Sequence, residues 1–377
     1  MKNSISEKSV QHGLERKNNG NLQTMWIELP GICNLACAYC YACGGDRLCS
    51  DNLLSWQQYK SILVQARALG VDSIGIPGAG EPLLGTNRQL ALSIIRKCSE
   101  LGIFVTLFTT GEFIDERIAD ELYRLPVEVM LKGNTLDPEK QDRFVSDPSR
   151  NREIRGYGEK RNVAIDLLMR KGFNDHGKCM KAFGRKSRMA LVTSIMTGGH
   201  GELNNLDDVV GVLRYCREHN IIFDCDSLLE RGRGANCELC ASDRELKSKL
   251  LELQEIDDVE YGNVWGLSQS YVGTVCDRYM HHLYVTQYGE VRPCIGAMDM
   301  MLGDLHETTL QEAWESAEMR IIRARKYSGK CGDECGNFED GTCNSCLGRR
   351  VSGLTNENLL AKGSVDTVGC WNFRDKT

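Results

Sequence analysis

Three cysteines near the start of the chain constrain its fold and chemistry more than any other feature. Cys33, Cys37 and Cys40 are spaced Cys-x3-Cys-x2-Cys. A cube-shaped [4Fe–4S] cluster is normally held by four cysteine thiolates, so three thiolates on one loop leave one iron open to a ligand that is not protein. The alternative is a zinc site, because Cys-x2-Cys is common in zinc knuckles and ribbons.

The cysteine loop begins just after a predicted strand. Residues 25–29 (MWIEL) are rich in apolar side chains, and Pro30 and Gly31 end the run. The loop therefore starts at the carboxyl end of this strand. In β/α barrels the carboxyl ends of the strands carry the active site, so we expect the three cysteines to lie there.

A second candidate site is the sequence Gly78-Ala79-Gly80-Glu81-Pro82, which directly follows the run 73–77. Small residues after a strand let backbone polar groups approach a ligand closely, and the Glu81 carboxylate can accept hydrogen bonds from an ammonium group. A glycine-rich turn alone is weak evidence, since most such turns only reverse the chain. Its position one strand and one helix after the cysteine loop strengthens the interpretation.

Composition indicates an enzyme of a reducing compartment. The 377 residues suffice for one large domain and a smaller one, and 18 of them are cysteines. The first 24 residues are polar and lack the apolar core of a signal peptide, so metal sites are favoured over disulfides and we expect a cytoplasmic protein. No apolar run is long enough to cross a bilayer. The net charge of −6, without a basic block, argues against a nucleic-acid partner.

Residues 25–236 alternate short β-branched runs with amphipathic stretches, which is a β/α pattern. The predicted strands are 25–29, 73–77, 104–109, 128–131, 190–195 and 221–225. The predicted helices are 56–69, 90–101, 115–125, 160–171 and 207–219. Six β/α units of this kind predict an α/β fold with a partial (β/α)6 barrel.

The cysteine loop, the glycine-rich sequence and the β/α pattern together resemble the radical SAM superfamily. The resemblance implies that S-adenosylmethionine (SAM) binds the open iron through its amino and carboxylate groups. The reduced cluster then splits SAM into methionine and a 5′-deoxyadenosyl radical, which removes a hydrogen atom from an unactivated carbon. It also implies a flavodoxin- or ferredoxin-type electron donor.

The same resemblance implies SAM contacts in several loops. Tyr39 stands where the family has an aromatic residue near the adenine, and Ala79 departs from the family's Gly-Gly-Glu motif. An arginine of segment 229–236, which resembles the Gly-Arg-Ala segment that often closes the barrel, would meet the SAM carboxylate or cap a helix. For each loop residue the alternative is a solvated turn. The implied cofactor-binding residues are Tyr39, Gly78, Ala79, Gly80, Glu81, Thr110, Lys132, Asn134, Ser194 and Arg231.

A second cysteine set lies in the last hundred residues and resembles the SPASM extension, which holds one or two auxiliary [4Fe–4S] clusters. Carried over by order, the inner cluster would be ligated by Cys276, Cys294 and Cys346. The outer cluster would be ligated by Cys331, Cys335, Cys343 and Cys370. The fourth inner ligand stays open between Cys237, Cys240, His281, His282 and substrate. A zinc ribbon is the alternative for the whole set, since sulfur ligands suit zinc or iron–sulfur clusters.

The resemblance bears on the substrate through two departures. In sulfatase-maturating relatives an Asp follows the cysteine that here is Cys294, and Ile295 stands in its place. Only about two dozen residues precede the first strand, so we expect no separate peptide-recognition domain. Both favour a small natural-product substrate such as a sugar, aminocyclitol or nucleoside derivative over a precursor peptide, which remains the alternative. A non-enzymatic alternative is an iron–sulfur electron carrier or a zinc-stabilised binding protein. The barrel pattern argues against both.

The expected organisation has four parts. A polar tail covers residues 1–24, the barrel covers 25–236, a helical connector covers 237–270 and the SPASM region covers 271–377.

Overall fold

The structure is a computed structural model that describes residues 20–46, 51–147, 151–198, 203–229, 231–235, 239–265 and 278–324. Among the predicted metal ligands, those outside the described residues are Cys276, Cys331, Cys335, Cys343, Cys346 and Cys370. Cys237, a candidate fourth ligand, lies outside them as well. The predicted boundaries of the four parts therefore stay predictions.

One nine-stranded sheet organises the described residues. Its strands are β1 (Thr24–Ile27), β2 (Ser73–Ile76), β3 (Phe104–Thr109), β4 (Val127–Lys132), β5 (Met189–Ile195), β6 (Ile222–Ser227), β7 (His282–Val285), β8 (Glu290–Arg292) and β9 (Gly303–Asp304). Their order is β6-β5-β4-β3-β2-β1-β7-β8-β9. Strands β1 to β6 pair in parallel and in sequential order, which confirms the predicted α/β fold with a partial (β/α)6 barrel.

Helices follow the strands and cover one face of the sheet. They are α1 (Trp56–Ala68), α2 (Gly85–Glu100), α3 (Glu116–Arg124), α4 (Pro138–Phe144), α5 (Tyr157–Lys171), α6 (His176–Phe183), α7 (Asp208–Glu218), α8 (Asp243–Tyr261), α9 (Leu310–Trp314) and α10 (Ala317–Arg323). The five predicted barrel helices are all present. Helix α2 begins five residues earlier than predicted, because its first turn is polar and carries no apolar periodicity.

The C-terminal region joins the same sheet. Strand β7 pairs in parallel with the free edge of β1, with Thr24 opposite His282 and Ile27 opposite Val285. The Thr24 hydroxyl also lies 2.9 Å from Nδ1 of His282. Strands β8 and β9 then continue the sheet as antiparallel neighbours. The barrel is therefore extended beyond β1 by the region that carries Cys294.

Alternate residues of each strand point to opposite faces. Val129 and Leu131 of β4 belong to the main apolar core beneath the helices, so Met130 and Lys132 face the barrel interior. Trp26 of β1 crosses this interior: a Cβ placed on Gly75 would lie 2.3 Å from the Trp26 ring. Glycine at 75 is therefore required for the indole to lie across β2.

The floor of the interior holds a buried ion pair. Glu128, near the start of β4, lies 3.6 Å from the Arg185 guanidinium, and both side chains are buried. Burial raises the pKa of the Glu128 carboxyl to about 7, and the Arg185 charge opposes this shift.

Among helices within the described residues, none has the length and apolar character needed to cross a bilayer.

Candidate functional site

The cysteine loop follows β1 and packs on an apolar cluster of its own. Cys37, Leu35 and Tyr39 are buried in this cluster together with Val145 and Tyr157. The loop backbone is fixed at its centre, where the Ala36 N–H donates to the Val145 carbonyl at 2.9 Å. The three cysteines therefore lie in one loop at the carboxyl end of β1, as the sequence predicts.

The glycine-rich loop after β2 lies directly against the cysteine loop. A Cβ on Gly80 would come within 2.2 Å of the Ile32 carbonyl oxygen, and one on Gly44 within 2.6 Å of the Ala79 carbonyl oxygen. The Glu81 N–H donates to that Ile32 carbonyl at 2.8 Å. The two loops thus meet backbone to backbone, which only residues without a side chain allow at these positions.

The Glu81 carboxylate is buried and connects the glycine-rich loop to the end of β3. It accepts hydrogen bonds from the Thr109 hydroxyl at 2.5 Å, the Thr110 N–H at 2.8 Å and the Leu83 N–H at 3.0 Å. Burial raises the pKa of Glu81, and these hydrogen bonds oppose the rise. A carboxylate can accept about four hydrogen bonds, and these three fix the Glu81 side chain between the glycine-rich loop and the end of β3.

Tyr39 lies at the centre of a polar network between the loops after β4 and β5. Its hydroxyl accepts a hydrogen bond from the Asn134 side-chain amide at 2.8 Å, and Oδ1 of Asn134 accepts one from the Ser194 backbone N–H at 3.1 Å. The Lys132 ammonium lies 5.2 Å from the centre of the Tyr39 ring, within cation–π range. Four predicted site residues, from the cysteine loop, the end of β4 with its following loop, and the end of β5, therefore lie in one network.

Thr110 contributes backbone groups. Its N–H donates to the Glu81 carboxylate, and its carbonyl accepts a hydrogen bond from the Tyr157 hydroxyl at 3.0 Å.

Arg161 of α5, which the sequence does not mark as a site residue, is fully buried and donates to the carbonyls of Lys132 at 2.8 Å and Thr135 at 2.9 Å. It supports the loop that carries Asn134. Nothing in the local sequence distinguishes it from the solvent-facing arginines of an amphipathic helix.

The segment 229–236 approaches the site differently from the expectation. The Arg231 guanidinium forms an ion pair with Asp299 at 2.9 Å. Arg233 instead contacts the cysteine loop, where it donates to the carbonyls of Cys37 at 3.0 Å and Gly44 at 2.9 Å. A SAM contact of Arg231 stays a prediction, whereas the arginine that the structure places on the cysteine loop is Arg233.

Sequence comparisons agree with this geometry. The profile of the radical SAM superfamily matches residues 27–216, about half of the chain. The chain belongs to the radical SAM superfamily. The profile of an iron–sulfur cluster-binding domain, SPASM, matches residues 276–347. This radical SAM protein is thus an enzyme that uses SAM and [4Fe–4S] clusters, which excludes the electron-carrier alternative.

One curated relative of this radical SAM enzyme matches part of the chain. GTP 3′,8-cyclase of Synechocystis sp. is 31% identical over 101 residues, which is 27% of this chain and 30% of that protein. The chain therefore matches under a third of that relative's length.

Solved structures show the same fold over most of the chain. Streptococcus suis SuiB bound to S-adenosylmethionine superposes with a TM-score of 0.65 at 16% identity, covering 93% of this chain and 78% of SuiB. SuiB also has a structure with its precursor peptide SuiA. A structure of anSMEcpe with AdoMet superposes with a TM-score of 0.58 at 17% identity, covering 85% and 89% of the two chains. Another anSMEcpe structure contains the Cp18Cys peptide.

The thiols of the radical SAM loop fit a cationic cluster. Burial raises the pKa of the Cys33 thiol to about 12 and that of Cys37 to about 11, and the neighbouring Cys40 adds to both shifts. Deprotonated thiolates at these two buried positions need positive charge beside them, which cluster irons provide. The Gly44 N–H already donates to the Cys40 sulfur at 3.2 Å. Among the described residues, no three ligating side chains converge on a single metal ion.

Three candidate auxiliary ligands lie in three different regions. Cys294 follows β8 and is partly buried against the main core. Cys240 instead packs on the apolar cluster of the cysteine loop, and its carbonyl accepts a hydrogen bond from the Thr197 hydroxyl at 3.2 Å. His282 lies in the barrel interior, where its ring packs edge to face on Trp26. Ligation by any of these three residues stays a prediction.

Proposed function

We propose that this enzyme removes a hydrogen atom from a carbon of a polar small molecule, with the SAM-binding cluster on Cys33, Cys37 and Cys40. The observation that carries the proposal is the direct contact between the cysteine loop and the glycine-rich loop, at the carboxyl ends of neighbouring strands. When bound, the cluster supplies the electron that cleaves SAM. A flavodoxin- or ferredoxin-type protein would reduce it.

The chain's own groups around the loop have separate roles in this proposal. Backbone groups of residues 78–80 would face the SAM amino group, because the glycines allow close approach. Glu81 would hold that loop against β3 and accept a hydrogen bond from the ammonium. Lys132 lies near the Tyr39 ring and Asn134 donates to the Tyr39 hydroxyl, and both would contact the ribose or the carboxylate.

The interior above Trp26 supports a polar substrate. Phe223 and Cys225 of β6 pack on the main core, so Asp224 and Asp226 face the interior beside the Ser194 strand. Lys132 faces the same space from β4. Side chains of both charges and a hydroxyl favour a substrate with amine or hydroxyl groups. Trp26 packs edge to face on Phe108 and His282 and occupies part of this interior, so we infer that a small polar group of the substrate enters it.

A small polar group can be a whole molecule or one side chain of a peptide. Similarity to GTP 3′,8-cyclase, whose substrate is a nucleotide, supports the first candidate, although it covers 27% of this chain. The SuiB and anSMEcpe structures with peptides support the second candidate through a shared fold. We place the small molecule first because Ile295 replaces the Asp that sulfatase-maturating relatives have after the cysteine corresponding to Cys294.

Isotope transfer tests the proposal and separates the two candidates. An extract of the source organism grown in deuterated medium is divided into a metabolite fraction and a peptide fraction. Each is incubated anaerobically with the reduced enzyme and SAM, and 5′-deoxyadenosine is analysed by mass spectrometry. Deuterium gained only from the metabolite fraction supports a small molecule, and deuterium gained only from the peptide fraction overturns it. A variant with Cys33, Cys37 and Cys40 replaced by Ala is the control and should yield no 5′-deoxyadenosine.

A further inference from the structure

One arginine outside the barrel strands contacts the cysteine loop at four places. The Arg233 side chain is 11% exposed and donates from Nε to the Cys37 carbonyl at 3.0 Å and from Nη2 to the Gly44 carbonyl at 2.9 Å. Its Nη1 atom lies 2.8 Å from the Asp46 carboxylate. The Arg233 backbone N–H donates to the Cys40 carbonyl at 2.9 Å. A single residue therefore bridges the segment from the second cysteine to the end of the loop.

The two glycines beside this arginine fix its position. A Cβ on Gly232 would lie 2.3 Å from the Tyr41 carbonyl oxygen, and one on Gly234 would lie 2.9 Å from the Tyr39 carbonyl oxygen. Gly232 has a φ of +57°, a conformation that residues with side chains rarely adopt. The 3₁₀ turn Gly232–Ala235 is thus packed against the backbone on both sides of Cys40.

Between Cys37 and Gly44, the hydrogen bonds that the described loop residues make with one another link positions only three or four residues apart. Examples are the bonds from the Cys40 N–H to the Cys37 carbonyl at 3.1 Å and from the Cys43 N–H to the Cys40 carbonyl at 3.4 Å. Cluster ligation requires three thiolates at fixed relative positions. We propose that Arg233 is a positioning residue that holds Cys37 and Cys40 in the arrangement that binds the SAM cluster.

Arginine suits this role because its guanidinium is a rigid planar fork with five donors, whereas a lysine ammonium is a point charge. Replacement by lysine keeps the charge and cannot reach all three acceptors at once. The neighbouring Arg231 ion pair is of another kind: Asp299 is 56% exposed, and such surface pairs contribute little. The structural requirement is therefore specific to position 233.

The test compares Arg233→Ala and Arg233→Lys with the full-length wild type after anaerobic cluster reconstitution. Arg217→Ala is the matched control, because Arg217 is similarly shielded and forms a bidentate pair with Asp257 that connects α7 to α8 away from the loop. The readouts are the rate of iron release to a chelator and the change in the EPR spectrum of the reduced cluster when SAM is added. Neither readout requires the substrate.

We expect Arg233→Ala to release the SAM-responsive iron about tenfold faster, the consequence of losing hydrogen bonds from a charged donor, and Arg233→Lys to be intermediate. Arg217→Ala should behave as wild type in both readouts. Wild-type release rate and spectrum in Arg233→Ala would overturn the inference. If Arg233→Ala does not fold, wild-type values in Arg233→Lys would overturn it instead.

This inference rests on the proposed cluster at Cys33, Cys37 and Cys40, and the same experiment separates the two. A wild-type enzyme without any SAM-responsive signal would contradict the proposed function. A wild-type signal that survives unchanged in the Arg233 variants would contradict only the role of Arg233.

Discussion

The three hydrogen bonds to Glu81 make a quantitative prediction about the glycine-rich loop. In Glu81→Gln the shape is kept, and one carboxylate oxygen becomes an NH2 group. That group faces either the Thr110 N–H or the donors from Thr109 and Leu83. At least one buried donor then loses a charged acceptor and stays unpaired, which costs roughly 2–4 kcal/mol. Because burial raises the pKa of Glu81, the neutral amide avoids a charge-burial cost, and we expect the lower value.

Hydrogen exchange of the Thr110 amide measures this loss where it occurs. A cost of about 2 kcal/mol lowers the protection of that amide roughly thirtyfold. Thr109→Val removes one of the three donors to Glu81 and should lower the protection of the Thr110 amide less than Glu81→Gln does. SAM affinity, measured by anaerobic calorimetry, should weaken in both variants, since both loosen the loop that would face the cofactor.

The control is Glu139→Gln, an exposed glutamate in the first turn of α4, which should leave protection and affinity unchanged. Unchanged protection of the Thr110 amide together with unchanged SAM affinity in Glu81→Gln would show that the Glu81 hydrogen bonds do not hold the glycine-rich loop in place. An effect on SAM affinity in Glu81→Gln but none in Thr109→Val would instead mean that Glu81 acts only through direct contact with the ligand.

Three further predictions follow from burial and packing. Gly80→Ala should reduce cluster content, because its Cβ would lie 2.2 Å from the Ile32 carbonyl oxygen, whereas Gly211→Ala in α7 meets nothing within 4 Å and should be neutral or stabilising; iron analysis and thermal unfolding decide. Burial raises the pKa of the Glu128 carboxyl from 4.5 to about 7 on folding. Protonation of Glu128 therefore contributes most to the free energy of unfolding below pH 4.5, and this contribution of roughly 3 kcal/mol is lost as the pH rises to 7. Glu128→Gln should remove this pH dependence from unfolding curves, and an unchanged slope would contradict the assignment. Cys343→Ala should lose auxiliary iron and product formation while SAM cleavage without substrate continues, and wild-type iron with wild-type product would argue against a cluster there.

Much of the barrel could be predicted from sequence because its strands are buried apolar runs. The predicted third strand, 104–109, matches β3 residue for residue, since Gly102 and Gly111 flank a run rich in β-branched and aromatic residues. Helix α4 was missed because only Gln141 and Phe144 of its seven residues are buried, too few for a helical period. The start of α4 could have been predicted, because Asp-Pro is a typical beginning of a helix. The Asp137 side chain accepts a hydrogen bond from the Lys140 N–H, and Pro138 is the first residue of the helix.

Long-range pairing could not be predicted from local pattern. Nothing in the sequence HLYV indicates that β7 pairs with β1, 258 residues earlier. The different contacts of Arg231 and Arg233 have the same cause. The two arginines flank one glycine in a symmetric sequence, and only the turn Gly232–Ala235 decides which of them lies on the cysteine loop.

Reductive cleavage of SAM by the anaerobically purified enzyme shows whether Cys33, Cys37 and Cys40 hold the cluster that cleaves SAM. The reduced wild type should convert SAM to 5′-deoxyadenosine and methionine, and a variant with all three cysteines replaced by Ala should form none while it keeps its auxiliary iron. Formation of 5′-deoxyadenosine by that triple variant at the wild-type rate would show that these cysteines do not hold the SAM-cleaving cluster.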